Sequence, residues 1–77
     1  MARYRIKTFR GYSYKSTYEA ALQEAKDMIL DIIVDGHPKT KWWAVIYRQD
    51  ENSHAATIHC PKVGQWYIVK ALRDMQN

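Results

Sequence analysis

The stretch from Ser16 to Gly36 constrains this chain more than any other, because it reads as one long amphipathic helix. Ser16 and Glu19 stand in the S-x-x-E spacing of a capping box, in which each side chain satisfies a backbone amide of the other. Gly36 supplies the left-handed residue that ends a helix, and Pro38 cannot continue one. Between these signals Tyr18, Ala21, Leu22, Ala25, Met28, Ile29, Ile32 and Ile33 recur at helical spacing, a stripe wide enough to bury against a sheet. Glu24, Asp27, Asp31 and Asp35 occupy the opposite face, and Leu30 and Val34 are expected at the edge of the core.

Charge divides along the same line. From Thr17 to Gly36 there are five acids and one base, a sum of −4. The whole chain carries +4, so the remainder carries +4 − (−4) = +8. The first eighteen residues hold five bases and no acid.

Seventy-seven residues make a single small α+β domain, 1–77, with a thin core. A chain of this size buries only about 60–65% of its unfolded surface. Cys60 is the only cysteine, so no internal disulfide staples the fold. No stretch has the apolar length of a signal peptide or a membrane span, which makes a cytoplasmic protein without membrane contact the expectation.

The remaining segments alternate with period two. Residues 2–9 place Tyr4, Ile6 and Thr8 on one side and Arg3, Arg5, Lys7 and Phe9 on the other. Arg10-Gly11 allows a turn, and residues 12–15 are extended, a short return strand being one option. Residues 41–49 form the strongest strand, apolar on both faces, with Trp42, Ala44 and Ile46 opposite Trp43, Val45 and Tyr47. A hairpin at 50–52 leads to a partner strand at 53–60, and a turn at 61–64 leads to a last strand at 65–71. A helix over 66–75 is the alternative for that last element. The expected architecture is one helix (about 17–35) on one face of a three- to four-stranded, mostly antiparallel sheet, in the order β-α-β-β-β.

One helix covers one face of such a sheet. Tyr4 and Ile6 must turn toward it, since the reverse would bury Arg3, Arg5 and Lys7. The open face then mixes those bases with rings from the two-sided strands. Trp43, Tyr47 and Trp66 are the predicted rings and Lys70 a further base. Rings that stack bases, interleaved with cations that hold phosphates, suit single-stranded nucleic acid. The same residues suit a protein hot spot, and tryptophans in a small domain are more often core than platform. A non-catalytic nucleic-acid-binding protein is therefore the first expectation. The alternative is a small regulatory or inhibitory protein, antitoxin-like or phage-encoded, that covers a protein partner or a second copy of itself through that face.

No nucleophile motif, phosphate loop or H-E-x-x-H signature is present, so neither an enzyme nor a cofactor is expected. His54 and Cys60 share one strand face and His59 the other, so no zinc set converges there and no metal is expected.

Ser16-Thr17-Tyr18-Glu19-Ala20-Ala21-Leu22, running to Asp35-Gly36-His37-Pro38, resembles the helix of HicB-type antitoxin domains. In that family an S/T-x-E-E-A-L start runs to a D-G-x-P exit. The likeness spans residues 16–38 of 77, and the glycine-rich strand pair that precedes the helix in the family is missing. It implies a partner-binding α+β domain.

Overall fold

A computed structural model describes residues 3–51 and 53–70. The chain forms β1 (Tyr4–Thr8), β2 (Gly11–Lys15), α1 (Tyr18–Val34), β3 (Trp43–Arg48), β4 (Ser53–Lys62) and β5 (Gln65–Lys70). The five strands make one sheet in the order β2-β1-β3-β4-β5, and every neighbouring pair is antiparallel. β2 and β3 flank β1 and therefore run parallel to each other. α1 is the crossover between them, and its length lets it span β1 and pack on β1 and β3.

The α+β class matches the sequence expectation, but the sheet has five strands in the order β-β-α-β-β-β rather than three or four in the order β-α-β-β-β. The additional strand is β2, the return strand. Thr8 pairs with Gly11 across a two-residue loop, and Gly11 has φ 140°, a backbone that residues with a Cβ rarely adopt. The last element is a strand over 65–70, and the rest of the expected alternative helix, residues 71–75, lies outside the described residues.

The helix forms as its apolar spacing dictates. Ala21, Ala25, Ile29 and Ile32 are fully buried, and Tyr18, Leu22, Met28 and Ile33 pack partly buried beside them. Its N-cap is Thr17 rather than Ser16: the Ala20 amide donates to the Thr17 hydroxyl at 3.1 Å. The C-terminus closes with the double hydrogen bond of a Schellman motif. The His37 amide donates to the Ile32 carbonyl and the Gly36 amide to the Ile33 carbonyl, with Gly36 at φ 84°. Val34 is 82% exposed and so lies outside the core whose edge the sequence assigned to it. The sheet side of the core is Ile6, Ala44, Ile46, Ala55, Ala56, Ile58 and Cys60.

Trp42 precedes β3 and pins the loop after the helix. Its indole N–H donates to the His37 carbonyl at 2.8 Å, and its ring packs against the core. The acidic helix face is tied to the β1–β2 hairpin twice. The Ser13 hydroxyl donates to the Glu24 carboxylate, and Arg10 pairs with Asp35. Among the described residues no helix is long and apolar enough to cross a membrane.

Candidate nucleic-acid interface

Residues opposite one another across an antiparallel ladder share a face, so the pairing register assigns the open side of the sheet residue by residue. Three rows cross it. Tyr14, Arg5, Tyr47 and His54 form the first. Tyr12, Lys7, Val45, Thr57 and Val69 form the second, and Trp43, His59 and Tyr67 the third. The partners one residue along, such as Ile6, Ile46 and Ala56, are fully buried beneath α1.

Five aromatic rings and two imidazoles thus stand on one side of the sheet. Tyr12, Tyr14 and Tyr67 are 56%, 50% and 58% exposed, enough to offer ring faces to a ligand. Arg5 organises the centre: its guanidinium lies 4.9 Å from the Tyr47 ring centroid and 5.6 Å from that of Tyr12. Cation–π attraction of this kind holds the two rings apart and in place. Tyr47 meets His54 edge-on at 6.4 Å, His59 lies 5.1 Å from Tyr67, and His54 Nε2 is 2.8 Å from the Thr57 hydroxyl.

The charge pattern is as ordered as the ring pattern. None of the five strands contains an Asp or a Glu. The acids among the described residues sit on α1, just beyond it at Asp35, or in the β3–β4 turn at Asp50 and Glu51. The register puts Arg5 and Lys7 in the middle of the open face and Lys62 at its far corner. Lys15 and Arg48 pair with Tyr4, on the helix side. Arg3, exposed and immediately before β1, continues the alternation of Arg5 and Lys7 toward the open face.

Of the predicted residues, the structure brings Arg3, Arg5, Lys7, Trp43 and Tyr47 together. It separates Trp66 and Lys70 from them, a correction to the sequence expectation. Trp66 packs against the core with the Lys26 ammonium 5.8 Å from its ring, and Lys70 lies 5.8 Å from the ring of Tyr18. Both contacts are with α1. The cause is a register shift between His59 and Lys62. Lys62 faces Gln65 at the turn, so an uninterrupted ladder would set Cys60 opposite Tyr67 and turn Trp66 outward. The extra residue on β4 makes His59 the partner of Tyr67 instead, and a one-residue slip exchanges the faces of a whole strand. Pro61 lies in the irregular stretch, where its missing N–H costs no ladder bond.

A second shift, between Ile46 and Tyr47, places both Ala55 and Ala56 in the core and returns His54 to the open side. The sequence reading also missed Tyr12 and Tyr14 as site residues. Their signal was the Tyr12-Ser13-Tyr14 alternation beside a glycine, too short to fix a strand without its partner.

The face is broad and shallow. The larger of the two concavities described, about 560 Å³, lies elsewhere, between α1 and β5, lined by Tyr18, Leu22 and residues 67–70. Among the described residues no group of three His, Cys, Asp or Glu side chains could hold a metal ion. An exposed array of rings and cations on a flat sheet can stack planar groups and pair with anions. No protein family, curated protein or solved structure matches the chain.

Proposed function

We propose that the protein binds single-stranded nucleic acid on the open face of its sheet and catalyses no reaction. The observation that carries this reading is the coincidence, on one acid-free surface, of Arg5 and Lys7 with Tyr12, Tyr14, Trp43 and Tyr47. Phosphates are held by the cations and bases by the rings, without readout of base edges, so affinity depends little on sequence. Duplex grooves offer this face nothing comparable, because paired bases are stacked on one another.

The test is fluorescence anisotropy of a labelled twelve-nucleotide single strand titrated with protein at low salt. Binding that weakens as salt rises, through counterion release, supports the reading. Absence of binding at low salt overturns it.

A second reading is favoured by the same exposed rings. Left in water, Tyr12 and Tyr14 at one edge of the sheet and Tyr67 and Val69 at the other present apolar surface of the kind protein partners cover. A protein target or a second copy would use Trp43 and Tyr47 as central anchors, and alanine at either would weaken association by about 2 kcal/mol. Sedimentation at micromolar concentration in high salt separates the cases. A monomer removes self-association, and unchanged partner capture by Trp43→Ala removes the protein interface.

A further inference from the structure

The arrangement of columns, as distinct from rows, gives the open face an axis. We propose that the nucleic-acid backbone runs along β1, with one phosphate over each of Arg3, Arg5 and Lys7 and the bases splayed to either side. The inference rests on the nucleic-acid reading above and adds to it a path, a footprint and a strand conformation.

Three observations carry it. First, the strand cations of the central open face belong to a single strand, β1, while Lys62 stands alone at the far corner. A polyanion follows the column of cations. Second, β1 lies between β2 and β3, the two strands that each present two rings to this face. Tyr12 and Tyr14 line one bank and Trp43 and Tyr47 the other. Third, Arg5 bridges the banks, its guanidinium within cation–π distance of Tyr12 on one side and Tyr47 on the other. The trough is therefore ordered before a ligand arrives, which reduces the entropy lost on binding.

Spacing then defines the ligand. Side chains at i and i+2 of a strand are about 6.8 Å apart, comparable to the through-space separation of successive phosphates along a nucleic-acid backbone, so one phosphate can sit over each cation. Bases that reach the rings on either bank must leave their stack to do so. Unstacked bases are the ones free to swing onto rings beside the track. Three consecutive phosphates join four nucleosides, so the footprint is a tetranucleotide. Tyr67, two strands from β3, lies off the track.

The experiment measures the affinity of the full chain for oligothymidylates and oligouridylates of two, four, eight and twelve nucleotides, with the matched twelve-pair duplex. Affinity is expected to rise steeply from two to four nucleotides and then to grow only in proportion to the number of overlapping sites. The logarithmic salt slope should be about −2, three phosphates at ~0.7 each, and Lys7→Gln should reduce it toward about −1.4. Tyr12→Ala with Tyr14→Ala should cost tenfold or more, whereas Tyr67→Ala should change affinity less than twofold. Circular dichroism verifies that each variant remains folded. If these edge-strand changes unfold the protein, the Lys7→Gln slope and the length series decide alone. Binding that persists but plateaus only beyond eight nucleotides, or that depends on Tyr67 as much as on Tyr12 and Tyr14, overturns the track and leaves the broader reading intact. Equal affinity for the duplex overturns the unstacked ligand. Failure to bind any oligonucleotide overturns both readings together.

Discussion

Trp43 and Trp66 look alike in the sequence, each in a strand apolar on both faces, yet they should respond oppositely to truncation. Trp66 packs partly buried against the core under Lys26, on an edge strand. A fully buried tryptophan costs about 3–5 kcal/mol when cut to alanine, and partial burial roughly halves that. Trp66→Ala should therefore cost about 2 kcal/mol of stability. For a domain of this size the total is about 4–12 kcal/mol, and each kcal/mol moves the melting temperature by about 4–8 °C. The expected fall is about 8–16 °C, with oligonucleotide affinity at 10 °C unchanged. Trp43 lies on the open face beside His59. Removing a stacking ring costs about 1–3 kcal/mol of binding, which is about 5- to 150-fold in dissociation constant. Thermal melts followed by circular dichroism, and anisotropy at 10 °C, give both quantities for both variants. A folded Trp66→Ala protein that loses as much affinity as Trp43→Ala would refute the face assignment and the register shift behind it.

Three further changes probe the scaffold. Ile29→Ala empties a fully buried site in the helix and should cost about 2–5 kcal/mol by urea denaturation. Thr17→Ala removes the acceptor of the Ala20 amide and should cost about 1 kcal/mol, while Ser16→Ala, one residue before the cap, should cost less. Gly64 turns the β4–β5 hairpin at φ 88°, so Gly64→Ala should lose about 1 kcal/mol in the same assay. An unchanged midpoint for Gly64→Ala would mean that the turn adopts another geometry.

What the sequence revealed and what it concealed have physical reasons. α1 was legible because its stripe, its cap region and Gly36 agree, and only the cap moved by one residue. The orientation of β1 was legible because Arg5 and Lys7 could not be buried with Ile6 retained outside. In β3 the alternation placed Trp43 and Tyr47 together, and the open face received them because Ala44 and Ile46 fit beneath the helix. β5 was not legible. Its two faces are equally apolar, so nothing local distinguishes Trp66 from Tyr67, and the choice is made by one unpaired residue near Pro61 on another strand. Nor was β2, because five residues with one glycine acquire a register only through Arg5 and Lys7 opposite. Both omissions concern information carried by a neighbour and not by the segment itself.

The confinement of the acids among the described residues to α1, Asp35 and the β3–β4 turn, with Arg5 and Lys7 on the open face, also gives the molecule a dipole component directed across the sheet. A polyanion approaching from any side exerts a torque that turns the helix away and the trough toward it, over distances of about a Debye length, ~8 Å at physiological salt. On the proposed nucleic-acid reading, encounters would then be productive more often than the small area of the face would allow by chance, a gain in association rate that salt abolishes. The same asymmetry makes the two sides of the protein unequal toward an anionic surface, which the net charge of +4 should meet with α1 outward.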